Sequence, residues 1–209
     1  MFRQDNYTAD ILASLARVTI AFGLCALLAI PLGVLMGNFK PVEAVLNPFV
    51  VFMRYVPISA FIPLLILWAG IGNLQKIIFL WMGTFFYVLA LISSATAAVG
   101  QEFLDTAYTL GASKQQALWR VIFPAALPGI LDSLRAMMGV GWTYVVLAEI
   151  VGANSGIGYM IMESERFLRT PRVVVGIFTV GAIGIGLDYA FRGARRLFSP
   201  WLQHAIEVE

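Results

Sequence analysis

Three ionisable side chains of this 209-residue chain, Arg54, Glu149 and Asp188, sit inside otherwise apolar stretches. A charge held at depth in an apolar medium costs at least about 2.5 kcal/mol, so each is a functional candidate that demands an explanation. Arg54 lies about six residues into its stretch, near one end, and the alternatives are reaching the nearer interface, contacting a backbone carbonyl, or serving a path for polar solute. Glu149 precedes the turn "GANSGIG" and either ties that turn down or lines a path, where a carboxylate is a poor ligand for an anion. Asp188 stands four residues before Arg192, the spacing of a helical ion pair.

The residue types that make and break bonds are scarce. His204 is the sole histidine, so no triad built on histidine can form. Cys25 is the only cysteine, which excludes an internal disulfide and reads as a small core residue. The lysines are Lys40, Lys76 and Lys114, and none closes the phosphate-cradling pattern G-x-x-x-x-G-K-[ST]. No His or Cys cluster suggests a metal site, and the expectation is that the chain is not itself an enzyme.

The elements that position these groups follow from composition. Hydrophobic residues make up 60% of the chain and charged residues 12%, against roughly 25% charged in soluble domains. That is the composition of a membrane protein, and about 20 apolar residues span a bilayer as a helix. Five stretches qualify: about 18–37, 48–72, 77–100, 136–153 and 173–191. They are continuously apolar, whereas barrel strands alternate over about ten residues, so the fold class is all-α. The second stretch contains Pro48, Pro57 and Pro63 and is expected to be kinked or broken. The polar opening "MFRQDNYTADILASLARV" is too long for a signal peptide. With no repeat and no linker, residues 1–209 read as one domain. Trp68, Trp81, Trp142, Tyr55 and Tyr144 lie in or near the spans, where interface anchoring or core packing outweighs a path role.

Orientation follows the basic residues. Lys114, Arg120 and Arg135 gather around the connection between spans three and four, and Arg192, Arg195 and Arg196 in the tail. Both groups, with Lys40, fall on one side, taken as the cytoplasm. Arg3, Lys76 and the group Arg166, Arg169 and Arg172 fall outside. The amino terminus is then expected outside and the carboxyl terminus inside.

Between spans three and four lies a polar insert, about 101–128, containing "DTAYTLGASKQQALWRVIFPAALP". Its first half favours helix up to Ala112, Gly111 offers a backbone at which one helix can stop, and Ser113 can cap the next. Ala117, Leu118, Val121 and Ile122 recur at helical spacing. Pro124 and Pro128 are expected to end that second helix and return the chain to the membrane. A helix-turn-helix of this kind suits either docking into a partner's groove or lying on the lipid surface.

The insert resembles the EAA loop of ABC importer permeases: a Glu-Ala-Ala element, three residues, a glycine, nine more, then Ile-x-Leu-Pro. Asp105, Thr106 and Ala107 stand at the first element, Gly111 at the glycine, and Val121, Phe123 and Pro124 at the last. Asp and Thr depart from the first two letters. "AIPLGVLMG" (29–37), "MRYVPISAFIPLLILWAGIG" (53–72), "PAALPGILDSLR" (124–135) and "WTYVVLAEIVGANSGIGYMI" (142–161) also resemble the nitrate, sulfonate, taurine and bicarbonate branch of type I permeases. Members of that branch carry one more amino-terminal span; truncation of this chain and a five-span core both remain open.

The resemblance implies a multi-pass permease of the plasma (inner) membrane, with ATP and Mg on a separate ATPase subunit and no cofactor on this chain. It implies two ATPase copies, an extracytoplasmic binding protein, and a second copy of this chain in the lipid bilayer; no nucleic acid is involved. Asp105, Thr106, Ala107, Gly111, Ala112, Lys114, Leu118, Val121, Phe123 and Pro124 become the ATPase-coupling loop. Arg54, Pro57, Trp142 and Glu149 become candidate path or gate residues. Glycines 176, 181, 184 and 186 on span five, and 139 and 141 on span four, offer close approach to another helix. The implied substrate is a small anion such as nitrate, a sulfonate or bicarbonate, with a thiamine-precursor-like heterocycle as alternative. A passive channel or ion-driven carrier, and a non-transporting scaffold, are the readings from other classes.

Overall fold

The computed structural model describes residues 7–152 and 154–199. Arg3, His204 and Ala153, the last residue of the expected fourth span, lie outside the described residues. The described residues form helices and no strand: α1 (Tyr7–Asn38), α2 (Lys40–Tyr55), α3 (Ile62–Ala69), α4 (Asn73–Ala97), α5 (Gln101–Thr109), α6 (Lys114–Ala117), α7 (Phe123–Ile150), α8 (Ile157–Arg166) and α9 (Thr170–Phe198). A 3₁₀ turn, Ile58–Phe61, precedes α3, and a π turn, Leu118–Ile122, joins α6 to α7. Among the described residues four helices are long and apolar enough to cross a membrane, or five spans when the bent pair Lys40–Tyr55 and Ile58–Ala69 is counted as one.

The core is a bundle of α1, α4 and α7, centred on Cys25, Ala29, Val88, Ile92 and Val145, all fully buried. Two glycines one helical turn apart let α1 press against α4. A Cβ on Gly33 would come within 2.7 Å of Ile92 Cγ2, and one on Gly37 would collide with Thr96 Oγ1. Small residues four apart allow this backbone approach, and Thr96 uses it to donate to Gly33 O at 3.4 Å.

Three expected boundaries are corrected. The first span begins at Tyr7, eleven residues before the apolar stretch, because Arg17 is buried and paired rather than marking a membrane surface. The second span begins at Lys40 rather than Pro48; it is broken as expected, with an 85° bend between α2 and the segment that follows. Only Pro57 breaks it: Val56 before it is extended, as a residue preceding proline prefers, whereas Pro48 stays within α2 and Pro63 sits in the first turn of α3.

Third, Pro124 and Pro128 do not end the helix that starts at Lys114. It runs through the π turn into α7 and on to Ile150. Phe123 N–H donates to Leu118 O across five residues, and this wider turn immediately before Pro124 is the local adjustment by which a continuous membrane helix accommodates a proline. Pro128 lies inside α7 and is buried.

α9 packs loosely. The membrane window of α9 is 6% buried, with Gly176 seated against Ile161 and the side chains of Ile177, Phe178, Ile185 and Tyr189 exposed.

Candidate functional site

The insert folds as a rigid corner. α5 ends in a Schellman motif: Gly111 takes φ 82°, Ala112 N–H donates to Ala107 O at 3.0 Å and Gly111 N–H to Tyr108 O at 2.9 Å. α6 then opens with a capping box. Gln116 N–H donates to Ser113 Oγ at 3.3 Å and Ser113 N–H to Gln116 Oε1 at 2.9 Å. Within α5, Thr106 Oγ1 donates to Glu102 O and Thr109 Oγ1 to Asp105 O, both at 2.8 Å.

Asp105, Thr106, Gly111 and Lys114 are exposed, Ala112, Val121, Phe123 and Pro124 half-buried, and Ala107 and Leu118 buried. The apolar side of the second helix is therefore not a free face. Ala117, Leu118 and Ile122 are buried within this chain. The large apolar residues on the outward surface are instead Phe103, Tyr108, Leu110 and Trp119, with Leu110 82% exposed at the corner. Helical spacing marks an apolar face but does not say whether the chain's own core or a partner covers it.

At the opposite end of the bundle Glu149 is fully buried and held by three groups through four hydrogen bonds. Arg17 Nη1 donates to its Oε1 at 2.5 Å, Ser14 Oγ to both oxygens at 2.7 and 2.9 Å, and Gly158 N–H to Oε2 at 2.9 Å. Arg17 also donates from Nε to Asn73 Oδ1 and from its other nitrogens to Ser155 O and Oγ. Gly156, at φ 117°, lies so close that a Cβ would strike the Glu149 carboxylate. Asp10 accepts from Gly156 N–H at 2.8 Å, and Lys76, buried rather than in an open loop, donates to Gly72 O and Gly152 O. This network fastens α1, α4 and the α7–α8 turn together. Ser14, Arg17, Asn73 and Ser155 were not singled out in the sequence; the signal that finds Arg17 is the demand of a buried carboxylate for a cation.

Arg54 is exposed on the last turn of α2, beside the break at Pro57. Its guanidinium lies 5.1 Å from the centroid of the Tyr87 ring, and Tyr87 Oη donates to Arg54 O at 2.8 Å. Tyr87 stands about 15 to 21 Å from the two ends of α4 at 1.5 Å per residue. Arg54 is thus level with the middle of the bundle, not near its end as the sequence suggested, because α2 begins at Lys40 rather than Pro48. Trp142 is 3% exposed and packs in the core.

A second opening, of about 910 Å³, runs between α7 and α9. Asp188 pairs there with Arg192 at 2.9 Å and also with Arg135, while Arg195 lies 3.3 Å from Asp132. Gly139, Gly181 and Gly184 line it with nothing within 4 Å of where a Cβ would stand, as is also true of Gly186.

Comparison with known proteins gives three findings. Residues 29–204 match the family model described as binding-protein-dependent transport system inner membrane component. The chain is 38% identical over 189 residues to the taurine transport system permease protein TauC of Escherichia coli (strain K12), covering 90% of this chain and 69% of that protein. It is 28% identical over 196 residues to the bicarbonate transport system permease protein CmpB of Synechococcus elongatus, covering 93% and 68%. In fold it superposes on a chain of the MetNI methionine ABC transporter, in an inward-facing form, with TM-score 0.83 at 17% identity, covering 91% of this chain and 95% of that one.

Proposed function

The chain belongs to the binding-protein-dependent transport system inner membrane component family, the permease subunit of ABC importers, and from that premise we propose that it imports a small anion of the sulfonate or bicarbonate type. The observation carrying this reading is relatedness over nine-tenths of the chain to a taurine permease, with a bicarbonate permease also matching. Hydrolysis of ATP takes place on separate subunits, two copies of which dock on the outward face of the 101–113 corner. Its support is physical: coupling needs a stiff lever, and this corner is locked by a Schellman motif and a capping box onto a helix continuous with α7. The corner faces the cytoplasm, where the carboxyl terminus also lies, and the amino terminus lies outside.

Two copies of the chain enclose the path. One copy has too few spans to shield a broken helix from lipid, and the open glycines of α7 and α9 present a surface for close approach. An extracytoplasmic binding protein delivers the solute to the end fastened by Arg17 and Glu149.

The test is reconstitution. The chain is purified with its partner ATPase and reconstituted into liposomes, the binding protein is added, and uptake of taurine, an alkanesulfonate, nitrate and bicarbonate is measured with and without ATP. ATP-dependent uptake of at least one anion is expected; uptake without ATP, or no co-purifying ATPase, refutes the coupling reading.

A further inference from the structure

The break in the second span carries a charge the fold does not neutralise. Arg54 has no carboxylate partner among the described residues; its contact is the face of Tyr87. The side chain cannot reach water along the helix, because it stands about 21 Å from the start of α2 at 1.5 Å per residue. A guanidinium facing hydrocarbon at that level costs about 2.5 to 3.5 kcal/mol. A cation–π contact offsets only part of such a cost. An exposed arginine here therefore belongs on a surface that meets water or a polar solute, not lipid.

The surroundings specify the solute. Arg54, Tyr55, Pro57, Phe86, Tyr87 and Tyr144 help to line a cavity of about 120 Å³ beside the bend. That is the liquid volume of roughly four waters. Among the described residues Arg54 is the only charged one lining it, and none of them brings a negative charge to the cavity. Glu149 and Asp188, by contrast, are both engaged by arginines elsewhere. A guanidinium offers paired N–H donors that match the oxygens of a sulfonate or carboxylate.

We propose that Arg54 at the α2–α3 break is the anion-recognition residue of the translocation path, holding the sulfonate or oxyanion group of the solute midway across the membrane. Tyr87 orients it: the ring supports the guanidinium and the hydroxyl anchors the Arg54 carbonyl, fixing the last turn of α2. The inference rests on the anion-importer reading and adds the group that selects the charge.

The experiment uses the whole complex in proteoliposomes with taurine and bicarbonate as probes. R54K keeps the charge and a cation–π contact but loses the planar fork, so a purely structural role leaves its transport at the wild-type level. Anion recognition instead raises the KM for taurine about tenfold with a smaller change in rate. R54Q is expected to lose uptake at least a hundredfold while co-purifying the ATPase in normal amount. Should R54Q fail to assemble, the R54K KM decides alone. Wild-type KM and rate in R54K, or undiminished uptake in an assembled R54Q, overturns the inference and leaves the importer reading standing. A wild-type complex that imports none of the tested anions overturns the anion reading and the inference together.

Discussion

Arg17 Nη1 lies 2.5 Å from Glu149 Oε1, with 6% and 0% of the two side chains exposed, and this pair joins α1 to the last turn of α7. Every nitrogen of Arg17 donates, and both oxygens of Glu149 accept. Removing one partner leaves an uncompensated buried charge. Glu149→Gln or Arg17→Met is therefore expected to cost about 3 to 5 kcal/mol, and the double replacement Arg17→Met with Glu149→Met less than the sum of its singles. Thermal unfolding in detergent checks this; additive single effects would show that the pair does not act as a unit.

The loop prediction separates two faces. Leu110→Asp alters an exposed side chain and should release the ATPase from a permease that still folds. Leu118→Asp puts a charge into the core and should lower the yield of folded protein instead. Co-purification against folded yield distinguishes them, and an unchanged complex with Leu110→Asp argues against docking at this corner.

Glycines with and without neighbours should behave differently. Gly33→Val forces a side chain into Ile92 and is expected to cost about 1 to 3 kcal/mol. At Gly184 a Cβ would meet nothing within 4 Å, so Gly184→Val should leave protomer stability within about 0.5 kcal/mol. If α9 faces a second copy, Gly184→Val lowers the fraction of two-permease complexes. Native mass spectrometry gives the count, and a single permease copy in the wild type excludes the homodimer.

Topology is read by cysteine labelling in a Cys25→Ser background. Position 114 should react only from the cytoplasmic side and position 71 only from outside. Ile71 is 69% exposed, whereas its neighbour Asn73 is engaged by Arg17 and would be a disturbed probe. Reaction of position 71 from the cytoplasm would invert the orientation.

Composition and local pattern determined the class, five apolar spans, the break in the second of them, and a capped helix-turn-helix at Gly111 and Ser113. These depend on near-neighbour physics: runs of apolar side chains, a proline that removes a donor, a glycine that accepts positive φ, a serine that reaches the next turn's N–H. Tertiary structure decided what distance along the chain conceals. Arg17 and Glu149 are 132 residues apart, so nothing local announced that the first pairs the second and carries α1 past its apolar stretch. The spacing of Ala117, Leu118 and Ile122 identified a face, but only packing assigned it to the chain's own core. Pro124 reads as a terminator until the π turn before it widens the bonding frame and lets the helix continue through it. Arg54 looked peripheral because depth depends on where α2 begins and what it lies against; the contact with Tyr87 set it at the middle of the bundle.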